Sequence, residues 1–460
     1  MGLYLLVDFG STYTKLTAVD IAKADIIATS RSFSTVATDI HDGYHLALTK
    51  LYQKIGKEVV FDKIIACSSA AGGLKMAAIG LIEELTVEAA KRVCLGAGGK
   101  VDLVFSHNIT TKEAERINNA NIDIVLLAGG TDGGNKDCVL YNAEVLGKTG
   151  VKVPVVYAGN KSCQDDIETI FKKYNTQYYI CDNVMPKLNV LNIDSAREVI
   201  RQIFMNNIIA AKGIKKIENE IDQIILPTPH AVLKATELLA KGYLQEKGLG
   251  EIVIVDIGGA TTDVYSICSG TPKRSDVILK GLEEPFAKRT VEGDLGMRYS
   301  AIGVVNALSQ EEINSYLEVG IDIIAEGEKR TKNVDMIPET LEDEKIDVIF
   351  GQICSNLGMS RHVGKMDVQY TPIGKYFFQY GKDLTAVDYI IGTGGVIIYN
   401  NYPEEILNKM LANEKSIMEL RPKAAKLLLD KEYIFSAMGL LSLHEPLAAL
   451  KIMKKYIVSI

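Results

Sequence analysis

Residues 252–267 read Ile-Val-Ile-Val-Asp-Ile-Gly-Gly-Ala-Thr-Thr-Asp-Val-Tyr-Ser-Ile, and they form the most informative stretch of the chain. The β-branched run predicts a buried strand ending at Asp256, and the apolar run after Asp263 predicts a return strand. The glycines between the two runs predict a tight turn, whose backbone can come close to a ligand and offer N–H groups to an anion. The pattern therefore predicts a β-hairpin with acids and hydroxyl groups at its tip.

A second stretch repeats this order near the start of the chain. Residues 5–15 read Leu-Leu-Val-Asp-Phe-Gly-Ser-Thr-Tyr-Thr-Lys, so Gly10 follows Asp8 as Gly258 follows Asp256. Taken singly, each stretch is equally well interpreted as an ordinary turn rich in turn-forming residues. Together they predict a phosphate group held between two turns. The predicted backbone contacts come from Gly10, Ser11, Thr12, Gly258, Gly259, Ala260 and Thr261.

The charged side chains of the two hairpins add a metal site to this prediction. Asp8 and Asp256 each end a strand, where a carboxylate can hold Mg²⁺ through the waters of the ion. Asp263 lies at the start of the second return strand and belongs to the same predicted site. Lys15 adds a positive charge beside the phosphate, or is a solvated strand lysine. The pattern as a whole predicts binding of a nucleotide with Mg²⁺.

His230 is a candidate catalytic residue in this site. It begins a predicted helix just upstream of the second hairpin, where a strand has ended, and it is a candidate to orient an attacking water. A lone histidine is more often structural than functional. A water held by Asp8, Asp256 or Asp263 is therefore an alternative that the sequence leaves open.

A glycine-rich loop later in the chain is the candidate contact for the base and ribose. A predicted strand at 389–391 is followed by Gly392, Thr393, Gly394 and Gly395, whose backbone carries few side chains that would obstruct a ligand. An ordinary strand-to-helix loop is the alternative interpretation. Neither Gly-x-x-x-x-Gly-Lys-Ser/Thr nor Gly-x-Gly-x-x-Gly occurs in the chain, so a nucleotide must be held by other means.

Composition narrows the class of protein. The chain has 460 residues, which predicts two or three domains, and its 47% hydrophobic and 24% charged residues are typical of globular proteins. A net charge of −7 argues against nucleic acid or an anionic membrane as the main partner. The seven cysteines are scattered without a Cys-x-x-Cys motif, which favours a reducing cytosol. The first residues indicate a strand rather than a signal peptide, and no apolar run is long enough to cross a bilayer, so we expect a cytoplasmic protein.

The order of predicted strands and helices divides the chain into five parts. The fold class that we predict is α/β, with two lobes and an inserted α/β domain of alternating strands and helices. A glycine-rich loop at residues 129–134 follows a strand of that inserted domain, where ligands bind in open α/β sheets, and an ordinary tight turn is an equally good interpretation of it. The parts are 1–84 with the first hairpin, 85–193 as the inserted domain, 194–246 with a first connecting helix, 247–432 with the second hairpin, and 433–460 with a second connecting helix.

The motifs in this order resemble the actin, Hsp70 and sugar-kinase ATPase superfamily. Residues 7–12 look like its phosphate-1 motif, residues 256–263 like phosphate-2 and residues 391–395 like the adenosine motif. The helices at 230–242 and 435–442 resemble the two helices that cross between the lobes. The resemblance implies ribonuclease H-like lobes that close on ATP or ADP with Mg²⁺. In actin the position of His230 is a glutamine that orients the attacking water, so this chain departs from the pattern there.

Within that superfamily the chain resembles the accessory proteins of adenosylcobalamin-dependent glutamate (methylaspartate) mutases. The resemblance lies in residues 7–15, 127–135, 289–298 and 437–442. It implies a weak ATPase that acts as a reactivating chaperone, helping a mutase to release damaged cobalamin and accept intact cofactor. The expected partners are mutase subunits, with the domain at 85–193 as the docking module, and self-association of the chain is left open.

Three other classes stay open from the sequence alone. A small-molecule kinase of the same superfamily would need an acid as base, and Asp132, Glu292 and Asp294 are available. A filament-forming relative of actin is the second class. A dehydratase activator is the third, but it would need cysteines placed for an iron–sulfur cluster, and the scattered thiols give no such pattern.

Overall fold

The computed structural model describes residues 2–10, 12–33, 40–69, 74–211, 220–372 and 374–460. Its strands are β1 (Leu3–Phe9), β2 (Tyr13–Asp20), β3 (Asp25–Phe33), β4 (Lys63–Ser68), β5 (Leu74–Gly80), β6 (Gly99–Ser106), β7 (Ile124–Leu127), β8 (Val155–Tyr157), β9 (Tyr178–Ile180), β10 (Gln223–Pro227), β11 (Gly242–Tyr243), β12 (Glu246–Lys247), β13 (Ile252–Ile257), β14 (Thr262–Ile267), β15 (Val277–Lys280), β16 (Ala287–Glu292), β17 (Lys365–Thr371), β18 (Gly374–Tyr380), β19 (Tyr389–Thr393), β20 (Lys426–Asp430) and β21 (Ile457–Ser459).

Its helices are α1 (Ile40–Ile55), α2 (Glu88–Gly96), α3 (Thr111–Asn119), α4 (Asp137–Thr149), α5 (Gln164–Lys173), α6 (Asp194–Ala211), α7 (Thr228–Lys241), α8 (Ala301–Asn306), α9 (Gln310–Glu318), α10 (Ile323–Lys332), α11 (Leu341–His362), α12 (Gly395–Ile398), α13 (Pro403–Leu407), α14 (Phe435–Ser442) and α15 (Pro446–Tyr456).

The first lobe is built on a sheet whose described strands lie in the order β10-β4-β1-β2-β3. Strand β2 is antiparallel to β1 and β3, whereas β4 runs parallel to β1 and β10 runs parallel to β4. The residues of β1 from Leu5 to Phe9 are all buried, as expected for a central strand covered on both faces. Helix α1 covers one face with Tyr44, Ala47 and Leu51, which recur at helical spacing.

The second lobe repeats this arrangement with strands in the order β16-β14-β13-β19-β20-β21. Strand β14 is antiparallel to β13 and β16, while β19 and β20 follow in parallel. Apart from β21, which adds an antiparallel edge, the order and directions equal those of the first lobe. The predicted fold class is therefore confirmed, with two ribonuclease H-like lobes of the kind found in actin and Hsp70.

The inserted unit has its own parallel sheet, with described strands in the order β6-β5-β7-β8-β9. Helices α3, α4 and α5 cover one face of this sheet with apolar residues such as Ile117, Val139 and Phe171. One interior strand of this sheet, β5, begins at Leu74, and its backbone pairs with β6 on one side and with β7 on the other. The sheet thus begins upstream of residue 85, where the sequence indicated a boundary.

Helices α7 and α14 cross between the lobes and pack closely against each other. Both belong to one apolar cluster that also includes residues of β1, β4, β13 and β19. A Cβ atom on Gly439 would collide with the carbonyl oxygen of Ala231, so the crossing requires a glycine in α14. The small residues of these two predicted helices therefore have a packing role.

All seven cysteines are free and buried. Among the helices that the structure describes, none combines the length and the apolar character needed to span a membrane.

Candidate functional site

The turns at the tips of the two predicted hairpins have the same hydrogen-bond geometry. The Gly10 N–H donates to the carbonyl of Tyr13 at 3.0 Å, and the Gly258 N–H donates to the carbonyl of Thr261 at 2.9 Å. Each bond closes a four-residue turn directly after a central strand. A Cβ atom on Gly10 would lie 2.5 Å from the Tyr13 carbonyl oxygen, so the first turn requires glycine. Ser11 lies outside the described residues.

The two turns face each other across a narrow gap between the lobes. A Cβ atom on Gly259 would lie 3.9 Å from Thr12 Oγ1, and its other near neighbours, Arg298 and Tyr299, would be 3.8 Å away. Residues from opposite halves of the chain are therefore within side-chain distance. The fold thus brings Thr12 and Gly259 close together. A phosphate group held between two turns would require this proximity.

The carbonyl groups of the second turn are engaged by the segment that follows β16. The bonds are Met297 N–H to Gly258 at 3.0 Å, Arg298 N–H to Gly259 at 2.8 Å and Ser300 Oγ–H to Ala260 at 2.8 Å. These bonds fix the turn before any ligand arrives. Because its carbonyls are already engaged, the turn is suited to bind an anion through its N–H groups.

Asp8 is only 2% exposed and is surrounded by donors. Its Oδ1 accepts a hydrogen bond from Thr228 Oγ1 at 2.7 Å, and its Oδ2 accepts from Ser436 Oγ at 2.9 Å and Lys15 Nζ at 3.1 Å. Thr228 begins helix α7 and Ser436 lies in helix α14. The carboxylate therefore joins the first strand to both of the helices that cross between the lobes.

Lys15 lies among the acids of the site rather than on a solvated strand face. Its Nζ is 3.1 Å from Asp8 Oδ2 and 3.6 Å from the ring centre of Tyr433. Burial alone would lower the pKa of Lys15, but Tyr433, Asp8 and Asp256 together raise it above its ordinary value. The structure therefore gives the site one partly buried amine that is charged at neutral pH.

The carboxyl group of Asp256 has a raised pKa. Burial raises its pKa to about 7, and Asp263, Asp8 and Asp430 add to the shift while Lys15 opposes it. Several carboxyl groups therefore lie near one lysine, whose single positive charge cannot stabilise the ionised forms of all of them. A divalent cation would stabilise their ionised forms, and oxygen donors are the ligands that Mg²⁺ prefers. The donor set around Asp256 thus fits the predicted Mg²⁺ ion.

The predicted adenosine loop lies beside the same acids. Gly394 has a φ of 94°, and a Cβ atom there would lie 2.8 Å from Asp256 Oδ1, so a side chain at this position would be strained. Thr393 donates its hydroxyl to Asp430 at 3.0 Å, and a Cβ on Gly392 would meet the side chain of Ile397 at 2.7 Å. Around Gly395, in contrast, no atom lies within 4 Å of the Cβ position. The loop is closely packed on one side and open at Gly395.

Asp263 is paired with Arg289 across the neighbouring strands β14 and β16. Arg289 Nε and Nη2 lie 2.7 Å and 2.6 Å from Asp263 Oδ1, and the arginine is 6% exposed. Its Nη1 also donates to the carbonyls of Leu95 at 3.2 Å and Gly99 at 3.1 Å. One side chain therefore joins the second hairpin to helix α2 and strand β6 of the inserted unit.

His230 lies at the junction between α7 and the inserted unit. Its Nδ1–H donates to the carbonyl of Gly96 at 3.1 Å. Burial lowers the pKa of His230 to about 4, with Arg197 contributing, so the ring is neutral at neutral pH. Thr228, two residues earlier, is the residue of this turn that contacts Asp8. The water-orienting role of His230 stays a prediction.

Four residues of this site were not predicted as site residues from the sequence, namely Thr228, Asp430, Tyr433 and Ser436. Asp430 ends a strand after Leu427, Leu428 and Leu429, and this repeat of an acid after an apolar run is a signal that could reveal it. The hydroxyl groups reach Asp8 only through the crossing of α7 and α14, and Tyr433 has a left-handed φ of 56°. Such tertiary contacts have no local sequence signal.

The acids that a small-molecule kinase could use as a base already have partners within the protein. Arg361 Nη1 lies 2.8 Å from Glu292 Oε2 and 2.7 Å from Asp294 Oδ1. Asp132 lies in the glycine-rich loop of the inserted unit, where it accepts from Asn183 Nδ2 at 2.9 Å.

Two lobes of one strand order, each with a glycine turn after its central strand, define a protein of the actin, Hsp70 and sugar-kinase class. The chain belongs to the MutL protein family, which it matches over residues 4–457. It is 51% identical over 462 residues to the protein MutL of Clostridium tetanomorphum, and the alignment covers 100% of both chains.

Solved structures of related fold are far more distant. The chain is similar to a glycerol dehydratase reactivase with a TM-score of 0.34 and 9% identity, over 89% of this chain and 94% of that chain. It is similar to the gluconate kinase of Lactobacillus acidophilus with a TM-score of 0.32 and 11% identity, over 100% of this chain and 93% of that chain. At such scores the strand order, rather than the superposition, defines the fold.

Proposed function

We propose that this protein is an ATP-dependent reactivating factor for an adenosylcobalamin-dependent glutamate (methylaspartate) mutase, which uses lobe motion to exchange damaged cobalamin for intact cofactor. One observation supports nucleotide binding: Thr12 of the first turn lies close to Gly259 of the second turn, beside a charged Lys15. The mutase part is supported by the motif resemblance and by membership of the MutL family.

ATP or ADP lies in this proposal with its phosphates between the two turns and its base against the loop at 392–395. The turn N–H groups and Lys15 bind phosphate oxygens, which is the electrostatic stabilisation that phosphoryl transfer mainly requires. Mg²⁺ supplies further charge neutralisation and is held by Asp256 and Asp8, directly or through water. Closure of the lobes brings the two turns onto the same phosphate chain.

Two residues at the start of helix α7 are candidates to position the attacking water. His230 has the position that the superfamily uses, and its neutral ring can accept a proton or a hydrogen bond from water. Thr228 is already hydrogen-bonded to Asp8. We expect His230→Ala to lower kcat and leave the affinity for ATP unchanged if His230 has this role, and Thr228→Val to do so if Thr228 has it.

The inserted unit is the proposed docking module for the mutase. Its glycine-rich loop is rigid, because Asn160 Oδ1 accepts from the Gly133 N–H at 3.0 Å and Asn183 Nδ2 donates to the Gly130 carbonyl at 3.0 Å. The following residues are exposed at the carboxyl edge of the sheet, Lys136 among them. ATP and ADP favour different lobe angles, and Arg289 offers a direct path from the second hairpin to this unit.

The nucleotide part is tested by ATP hydrolysis in the full chain. We expect Asp256→Ala and Asp8→Ala to reduce Mg²⁺-dependent hydrolysis strongly, since both acids belong to the proposed metal site. Asp276→Ala is the matched control, because Asp276 is exposed and paired with Arg274 away from the site. Normal hydrolysis by both site variants would refute the Mg²⁺ assignment.

The mutase part is tested by capture of mutase subunits from purified preparations with ADP and with ATP. We expect capture to depend on the nucleotide and to weaken in Lys136→Glu, whereas Lys423→Glu on the exposed surface of the second lobe behaves as the wild type. Capture that is absent with both nucleotides would refute the chaperone role. ATP-dependent phosphorylation of a metabolite would instead favour the kinase, and sedimentable polymer with ATP would favour the filament.

A further inference from the structure

Three potential metal ligands meet on the surface of the first lobe, away from the nucleotide site. His41 and His45 come from α1, and Glu220 comes from the segment just before β10. His45 Nε2 is 3.3 Å from Glu220 Oε1, and His41 Nε2 is 3.9 Å from the same oxygen. One ligand atom from each residue lies within 4.8 Å of the others. The three side chains are between 37% and 40% exposed, so an ion can reach them from solvent.

The spacing of the ligand atoms is close to what zinc requires. Zinc bonds to histidine nitrogen and carboxylate oxygen are about 2.0–2.2 Å long, so tetrahedral ligands are separated by about 3.4 Å. The two histidines are one helical turn apart, which puts them on one face of α1 with ring centres 4.1 Å apart. An ion pair with Glu220 would need only one imidazole. The convergence of two rings on one carboxylate oxygen points to a shared ion.

A fourth residue is placed to orient one of the histidines. His41 Nδ1 lies 3.8 Å from Asp42 Oδ1, on the side of the ring opposite to the Nε2 that faces Glu220. Histidine ligands of metals commonly turn their second ring nitrogen to a carboxylate, which fixes the ring and strengthens the ligand. In His41 one ring nitrogen faces Glu220 and the other lies on the side of Asp42, which is the same arrangement.

We propose that His41 Nε2, His45 Nε2 and the Glu220 carboxylate bind a divalent zinc ion, with Asp42 as a positioning residue and water in the remaining position. Two imidazoles and one carboxylate favour zinc over Mg²⁺, which prefers oxygen ligands alone. The site is independent of the proposed ATPase activity. Its sequence signal is the i, i+4 pair in His41-Asp-Gly-Tyr-His45, to which Glu220 is added only by the fold.

The ion would tie together two parts of the first lobe that are distant in sequence. Helix α1 packs on β3, whereas Glu220 leads through β10 to Thr228, which is hydrogen-bonded to Asp8. An ion that binds the folded chain and not the unfolded chain stabilises the fold in proportion to the logarithm of its concentration. Zinc is therefore expected to stabilise the edge of the sheet from which the nucleotide site is built.

The test is a zinc titration of the full chain after treatment with a chelator. We expect one zinc ion per chain, with affinity reduced more than about tenfold in His45→Ala and in Glu220→Gln, and about tenfold in Asp42→Asn. Zinc should raise the Tm of the wild type and not that of Glu220→Gln. His107→Asn is the control, because His107 is an exposed histidine outside the cluster whose φ of 59° asparagine tolerates.

Spectroscopy identifies the ligands independently of stability. Co²⁺ bound at this site should give a d–d spectrum without a thiolate charge-transfer band, since all seven cysteines are buried elsewhere. The proposal is overturned if the wild type binds no zinc, if His41→Ala/His45→Ala keeps the affinity and stoichiometry of the wild type, or if Co²⁺ shows the thiolate band. None of these outcomes depends on whether the protein hydrolyses ATP.

Discussion

Asp8 and Asp256 occupy equivalent positions in two hairpins but have opposite surroundings. Asp8 accepts bonds from Thr228, Ser436 and Lys15, so its carboxylate is satisfied by the protein itself. Asp256 lies partly buried beside other acids, and its pKa is raised to about 7. The equivalence was visible in the sequence, but the difference was not, because it arises from residues contributed by two distant helices.

This difference predicts opposite effects of the same substitution on stability. A folded-state pKa of about 7 against an ordinary 3.8 means that Asp256 destabilises the fold increasingly as pH rises between these values, and fully above pH 7. Asp256→Asn should therefore stabilise the protein by about 1–3 kcal/mol at pH 8, and by less at pH 5. Asp8→Asn should destabilise it by about 1–3 kcal/mol, because the amide keeps only one of the two oxygens that accept from Thr228, Ser436 and Lys15. Denaturant unfolding at both pH values measures both effects, and a destabilised Asp256→Asn at pH 8 would contradict the account.

Lys15 is predicted to contact the phosphates of ATP rather than to contribute to the stability of the fold. Removing its charge leaves phosphate oxygens and Asp256 without their partly buried cation. Because hydrogen bonds to charged groups contribute about 1.5–3 kcal/mol, Lys15→Met should lower kcat/KM for ATP by roughly tenfold to a hundredfold. Lys57→Met, at an exposed position of the first lobe, is the control for loss of a lysine. An unchanged kcat/KM in Lys15→Met would place the phosphate elsewhere.

The strands and helices with strong local patterns were predictable from the sequence. The helix at 435–442 has the predicted bounds, the first residues form a strand as predicted, and the buried strand predicted to end at Asp256 ends one residue later, at Ile257. Strands β17 and β18 were not predicted, because their exposed Lys, Gln and Tyr residues give no apolar run. Strand β5 was not predicted because of its small residues, and only its pairing with β6 and β7 shows that it is an interior strand of the sheet.

Gly439 in helix α14 and Gly395 at the start of helix α12 are predicted to have different roles. Gly439→Ala should destabilise the protein by about 1–3 kcal/mol, since the new methyl group collides with the Ala231 carbonyl where α7 crosses α14. Gly395→Ala should leave the stability unchanged, because no atom lies within 4 Å of its Cβ position. If Gly395 faces the nucleotide, this second variant should bind ATP more weakly. Thermal unfolding and ATP titration of both variants separate the two roles.

At the scale of the whole molecule, the sequence predicted two lobes and an inserted unit but not the contacts between them. Arg289 was part of a motif noted in the sequence. Its partners Leu95 and Gly99 belong to the inserted unit and lie far from Arg289 along the chain. Similarly, the role of Asp263 as the carboxylate partner of Arg289 depends on the register of β14 against β16. Such long-range contacts have no periodicity from which they could be predicted.

Arg289 is predicted to transmit the nucleotide state to the inserted unit. Arg289→Lys keeps a charge beside Asp263 but loses the planar group that also binds the two carbonyls. We expect this variant to hydrolyse ATP while its capture of mutase subunits no longer differs between ATP and ADP. Arg274→Lys, in an exposed pair with Asp276, should keep the nucleotide dependence of the wild type. Full nucleotide dependence in Arg289→Lys would exclude this path.

The central claim is that the two hairpins bind one phosphate chain between them, and calorimetric titration of MgATP into the full chain tests it most directly. A Cβ atom on Gly259 would have no neighbour closer than 3.8 Å, so Gly259→Ala fits the folded chain while narrowing the gap opposite Thr12. We predict one ATP per chain for the wild type, and weaker binding with an unchanged Tm for Gly259→Ala. Absence of binding by the wild type, or binding of normal affinity by Gly259→Ala, would contradict this claim.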